Sequence, residues 1–234
     1  MSRLSLIVIF CLAFFSLIIF SCKSNETGSS SDVNPESIYF DYKVWGEEGN
    51  DHITVMLQYR FAGPNGTTLL LEDPGKVELD GVQLAADSSI MTGAYYEQLK
   101  TISEFSGTHK IVFTDINKKT YTETFRFFPM SLRLPIQEEL KRGDLVFELD
   151  GLDSIDFVRV LMMDTTFESM GINRIDTVRN GKLIISKEQL RKVGNGPVHL
   201  ELHKEMDKPL KESTREGGRL SITYGLKRDF VLTD

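Results

Sequence analysis

Ile53-Thr54-Val55-Met56-Leu57-Gln58-Tyr59-Arg60-Phe61 alternates apolar and polar side chains, and the architecture follows from that pattern. Its odd positions (Ile53, Val55, Leu57, Tyr59, Phe61) are apolar, and Thr54, Gln58 and Arg60 stand between them. Side chains alternate across a strand, so this pattern buries one face and wets the other. Period two holds from Ile38 to Phe128. Asp73-Pro74-Gly75 and Asp80-Gly81 mark turns, the second a two-residue hairpin between Lys76–Leu79 and Val82–Leu84. His109, Ile111 and Phe113 alternate, polar 115–119 forms a loop, and Tyr121, Phe125 and Phe127 share the next face. Turns recurring about every eight to twelve residues, with no helical period, describe an antiparallel β-sandwich.

Pro129 to Pro135 reads as a boundary, and the second half repeats the plan. Leu145, Phe147 and Leu149 alternate. Ile155 to Met163 is apolar on both faces, which excludes an edge strand. Asn180-Gly181 is a hairpin turn before Leu183–Ile185, and Ser186-Lys187-Glu188-Gln189 is a capping box opening one short helix that Gly194 ends. Val198, Leu200 and Leu202 alternate, as do Leu220, Ile222, Tyr224 and Leu226. Gly107 and Gly196 each precede three alternating positions, a short internal repeat in accord with two domains. The expected class is therefore all-β: two tandem antiparallel β-sandwich domains, 38–129 and 130–234, with one short helix in the second. This layout resembles the tandem immunoglobulin-like or fibronectin-III-like modules of bacterial envelope proteins. The resemblance is architectural and brings no functional residues with it.

The first 22 residues decide location. Met1-Ser2-Arg3 is a positive start, Leu4–Phe20 is an apolar run, and small Ser21 precedes Cys22, the three parts of an export signal. A helix over Leu4–Phe20 would rise roughly 25 Å, short of the ~30 Å hydrocarbon core. Ile19-Phe20-Ser21-Cys22 resembles the lipobox of a bacterial lipoprotein precursor, which implies cleavage after residue 21 and a diacylglyceryl group on Cys22. Stable anchoring takes about two acyl chains, so a lipidated Cys22 would hold the chain on a membrane without a spanning helix. Residues 22–37, rich in Ser, Asn and Gly, read as a flexible linker with a root-mean-square reach of about 20 Å. Lys23 stands where Asp would mark inner-membrane retention, so the resemblance points to the outer membrane, on either face.

Removing residues 1–21 leaves 213 of 234 residues, with 26 basic and 34 acidic side chains. A net charge of −8 argues against nucleic acid or anionic headgroups as partners, since both need basic patches. Cys11 leaves with the signal, so no disulfide and no free thiol remain.

Candidate chemistry is sparse. His199, Glu201 and His203 fall on one face of a strand and are acceptable zinc or iron ligands. Side chains four apart on a strand stand about 13 Å from each other, though, so a solvated strand face is the competing reading. Asp144, Asp150, Asp153 and Asp156 lack the spacing of a calcium loop. Trp45, the single tryptophan, precedes an acidic turn and is either a core plug or a stacking surface for a sugar ring; Tyr95 and Tyr96 offer a second aromatic spot. Asp153-Ser154-Ile155, Asp164-Thr165-Thr166 and Asp176-Thr177-Val178 resemble the O-glycan acceptor motif of Bacteroidetes-type exported proteins, which implies Ser154, Thr165 and Thr177. No nucleophile elbow, P-loop, dinucleotide fingerprint or zinc-protease motif occurs, so no cofactor and no enzyme are expected. The expected function is a protein-binding or scaffold lipoprotein of the cell envelope. The alternative is a carbohydrate-binding module, and a metal-dependent enzyme at His199/His203 comes third. A sugar site requires Trp45 exposed in a shallow groove, whereas a scaffold requires it buried with no sizeable pocket.

Overall fold

The computed structural model describes residues 27–166 and 169–234. The signal, Cys22 and residues 23–26 lie outside the described residues, and the rest of the expected linker is ordered: Thr27–Ser29 pairs with Thr68–Leu70 and Ser30 and Pro35 are buried. Strands β1 (Thr27–Ser29), β2 (Ile38–Glu47), β3 (His52–Phe61), β4 (Thr68–Leu70), β5 (Lys76–Leu79), β6 (Val82–Gln83), β7 (Ala86–Ser89), β8 (Gly93–Thr101), β9 (Gly107–Thr114) and β10 (Thr120–Phe127) make the first half. Strands β11 (Ser131–Leu132), β12 (Glu139–Lys141), β13 (Leu145–Asp150), β14 (Ile155–Asp164), β15 (Ile172–Arg179), β16 (Lys182–Ile185), helix α1 (Lys187–Leu190), β17 (Gly196–Pro209) and β18 (Gly218–Thr233) make the second. Apart from α1 and two single 3₁₀ turns, the regular elements are all strands, so the described chain is all-β.

In the first half, β2, β3 and β8 form one layer, and β10-β9-β5-β6 forms the other. The alternation read in 53–61 is realised: Ile53, Val55, Leu57 and Tyr59 are fully buried. Between the layers an aromatic cluster sets the core. Phe40 meets Phe113 edge-on at 4.9 Å, Tyr59 stacks on Phe113 at 4.4 Å, and Tyr121 meets Phe40 at 5.3 Å. Edge-on and offset contacts place the positive rim of one ring on the negative face of another. Two expectations change, one on each face. Phe61, at the strand end, is exposed, and Gln58 is buried. Its amide donates to the carbonyls of Thr92 and Ala94 and accepts from Arg60, so each polar atom keeps a partner where the β7–β8 region covers it.

Both dipeptide turns form as read. Asp80 and Gly81 have φ of 52° and 82°, and Asn180 and Gly181 have 50° and 74°, the left-handed pair of a type I′ hairpin. The capping box closes at both ends: the Gln189 N–H donates to the Ser186 hydroxyl and the Ser186 N–H to the Gln189 side chain.

The second half bends one sheet into two layers. β18, β17, β14 and β15 pair in sequence, but β15 touches β16 only at Arg179↔Lys182, and β16 continues to β13 and β11. The corner turns Leu183, Ile185 and Phe147 inward, and they are buried with Val160, Met162, Leu200 and Leu202. As expected, β14 is an interior strand.

The β17–β18 hairpin belongs to both halves. β18 is 16 residues long, about 54 Å at ~3.4 Å per residue. Its start (Gly218–Gly225) pairs in parallel with β2 of the first half, and its end (Val231–Thr233) pairs with β12. β17 pairs with β14 only from Val198 to Lys204, which leaves 205–209 open on that side. Glu123 of β10, 2% exposed, accepts from the Lys208 ammonium at 2.7 Å and the Lys211 N–H at 2.9 Å. Strands from one half thus build a wall of the other.

Candidate functional site

Inward-facing Phe40, Tyr42 and Val44 on β2 send Tyr39, Lys43 and Trp45 to the outer face. In register beside Trp45 stand Thr54 of β3 and Thr223 of β18. Both are short, so the indole is not walled in and keeps 39% of its surface exposed. It lines a shallow groove of about 390 Å³ together with Asn50, His52, Thr54, His203 and Thr223. Gly225 lies opposite His203 in the β17–β18 ladder. A Cβ there would stand 2.9 Å from His203 Nδ1, so only glycine lets that imidazole lie across the strand toward the groove.

A hydrogen-bonded ladder leads away from the groove. His203 Nε2 meets Glu201 Oε2 at 2.9 Å, Glu201 Oε1 meets His199 Nε2 at 3.0 Å, and His199 Nδ1 meets Asp229 Oδ1 at 2.7 Å. Carboxylates only accept, so His199 satisfies both neighbours when each ring nitrogen carries a proton. The Asp229 bond accordingly raises the His199 pKa above the usual imidazole value. The bond to His203 holds Glu201 below the usual carboxylate value. Each imidazole aims at the carboxylate between them, and among the described residues no three His, Cys, Asp or Glu side chains are grouped to hold a metal ion.

The other candidates separate. Tyr96 is 4% exposed, packs edge-on against Tyr59 and accepts the Leu71 N–H at 2.7 Å, so it is core. Tyr95 faces the opposite way and bonds Asp87 at 3.3 Å. The two therefore form no joint platform. Asp150 pairs with Arg133, Asp156 with Lys204, and Asp144 caps the Lys187 N–H, so these acids do not converge. Ser154, Thr165 and Thr177 are all exposed.

His52 and His203 as neighbours of Trp45 escaped sequence reasoning. His203 arrives through the parallel β2–β18 pairing and then β17, and no local pattern announces a pairing between strands so far apart in the chain. A second cleft, about 790 Å³, is lined by β10, by β17 and by residues 151–153 before β14 with Asp156 and Phe157 at its start.

No protein-family model matches the chain, and no curated protein matches it. Solved structures to which it is distantly similar include that of DIP-gamma IG1+IG2, 10% identical, covering 84% of this chain and 95% of that one at a TM-score of 0.24. The Bacteroides ovatus mixed-linkage glucan utilization locus SGBP-B, in complex with a mixed-linkage heptasaccharide, is 10% identical over 91% of this chain and 67% of that one, TM-score 0.22. The Yersinia pseudotuberculosis adhesin InvE is 11% identical over 82% and 59%, TM-score 0.22. Likeness at this level says nothing about ligands, which the residues themselves must argue.

Proposed function

We propose that the chain is a non-enzymatic binding module of the cell envelope, tethered to the outer membrane through lipid on Cys22, whose Trp45 groove takes a carbohydrate ring. The observation that carries this reading is the indole, left partly bare in a shallow groove rimmed by hydrogen-bonding side chains. A scaffold would bury it. The negative face of the ring attracts the polarised C–H groups of a sugar, while Asn50, His52, Thr54 and Thr223 offer donors and acceptors for its hydroxyls. Glu47 is held by Lys227 at 2.6 Å, so the rim presents little free charge and suits a neutral sugar. Ser154, Thr165 and Thr177 remain candidate O-glycan acceptors on the exposed surface.

Because Trp45 is the single tryptophan, its fluorescence reports the groove without ambiguity. Titration with a panel of neutral oligosaccharides is expected to shift that emission saturably. In calorimetry, Trp45→Ala should weaken binding about 30-fold, roughly 2 kcal/mol for an anchor residue. Equal affinity of the parent and Trp45→Ala for the same sugar would refute the assignment.

A further inference from the structure

The cleft is lined by the outer edge of β10 and by residues 205–209 of β17, which no strand pairs on that side. In the β9–β10 ladder, Asp80 N–H takes the Lys110 carbonyl, so even-numbered residues of β9 face β5 and odd-numbered ones face β10. The matching odd residues of β10 (Tyr121, Glu123, Phe125) bond β9, and the even ones point outward. Thr122 N–H confirms this direction by donating to the Glu212 carboxylate at 2.7 Å. Beyond it, the backbone N–H and C=O of Thr124 and Arg126 have no partner among the described residues. Across the cleft, Leu210 N–H bonds the Gly218 carbonyl. Even-numbered residues of β17 therefore face β18, and Glu205 and Asp207 turn their backbone groups to the open side, past the end of β14.

Open edges invite strand addition; Glu212 occupies the edge at Thr122 and β17 ends in Pro209, so the stretch of β10 left free is Thr124 to Arg126. The N–H and C=O groups of Thr124 and Arg126 repeat at two residues, about 6.8 Å, the repeat of an extended peptide. A sugar chain carries no such alternation of donor and acceptor. The walls supply side-chain chemistry as well. Phe128, Phe157 and Met206 are apolar lining groups, the first two well exposed. Of the lining cations, Lys204 is held by Asp156 at 2.9 Å and Lys208 by Glu123 at 2.7 Å. Arg126 lies over Phe128 at 5.1 Å, and neither it nor the Lys211 ammonium has a carboxylate partner among the described residues. Asp153, at the far rim, is the lining carboxylate left without a cation.

We infer that this cleft takes an extended segment of a partner protein, added as a strand on the open edge of β10, with apolar side chains alternating with acidic ones that meet Arg126 and Lys211. Main-chain pairing supplies affinity, and the alternating side chains supply selectivity. The site is separate from the Trp45 groove and shares no lining residue with it.

The test uses the full chain in detergent micelles and a displayed library of linear seven-residue peptides. Enriched peptides are expected to alternate apolar and acidic residues and to slow amide hydrogen exchange at Thr124 and Arg126. Thr124→Pro removes an N–H that points away from β9, a position where an edge strand tolerates proline. It is expected to weaken peptide binding at least tenfold with thermal unfolding unchanged. Methylating alternate backbone nitrogens of the peptide should do the same to the unaltered protein, which keeps the test valid if the proline variant fails to fold. Arg126→Glu should reverse the acidic preference, and Trp45→Ala should leave peptide binding intact. No enrichment, bound peptides that leave both amides exchanging freely, or methylated peptides that bind undiminished would each overturn the inference.

Discussion

Replacing Glu123 by Ala tests how the two halves are joined. The carboxylate is 2% exposed and accepts from Lys208 and from the Lys211 N–H, tying β10 to the β17–β18 hairpin. Alanine leaves the Lys211 N–H unpaired and the Lys208 ammonium without its counter-charge. One-sided removal from a fully buried pair costs about 3–5 kcal/mol. The Lys208 side chain is 30% exposed and can recover water, which lowers the expected loss to about 2–3 kcal/mol. At roughly 2–4 °C per kcal/mol for a chain of this size, Tm should fall by about 4–12 °C. Urea titration should show a lower midpoint at unchanged slope. Replacing both partners, Glu123→Leu with Lys208→Met, should cost less than the two single changes added, with a coupling of at least about 1 kcal/mol. A Glu123→Ala protein within about 0.5 kcal/mol of its parent, or strictly additive single changes, would refute the tie.

Three further outcomes are expected. His199 has a folded pKa above its unfolded value of 6.5, so its contribution is complete below pH 6.5 and is lost as pH rises through the folded pKa. On a partly exposed pair this amounts to no more than about 1 kcal/mol, and the stability difference between parent and His199→Gln should shrink from pH 6 to pH 8; a constant difference would contradict the ladder. Gly181→Ala forces a side chain onto φ of 74° and a Cβ to 2.4 Å from the Leu149 carbonyl. It should destabilise by about 1–3 kcal/mol in a denaturant titration, whereas an unchanged midpoint would mean the turn relaxes freely. Cys22→Ser should move the protein from the membrane fraction to the soluble one, and continued sedimentation with membranes would refute lipid tethering.

Much of the fold was legible because the evidence for it is local. Alternation in 53–61 and 198–202 specifies which face of a strand is buried, whatever the strand pairs with. Asp80-Gly81 and Asn180-Gly181 specify type I′ turns because few residues other than Asn, Asp and Gly adopt left-handed φ cheaply. Ser186 with Gln189 specifies a helix start through two reciprocal hydrogen bonds within four residues. Each of these depends on neighbours in the chain, and each reads correctly except at Phe61 and Gln58, whose burial other segments decide.

Partnership between strands is another matter. A backbone edge offers the same N–H and C=O groups in every sequence, so nothing in Gly218–Gly225 says that it will lie parallel to Phe40–Glu47, or that one hairpin will wall both halves. Only that packing sets His203 beside Trp45, buries Glu123, and leaves Thr124 and Arg126 facing an open cleft. Strands, most of their inner faces and their turns follow from residues adjacent in the chain. Which residues meet at the groove and the cleft follows from long-range packing, because those contacts join segments that no local periodicity connects.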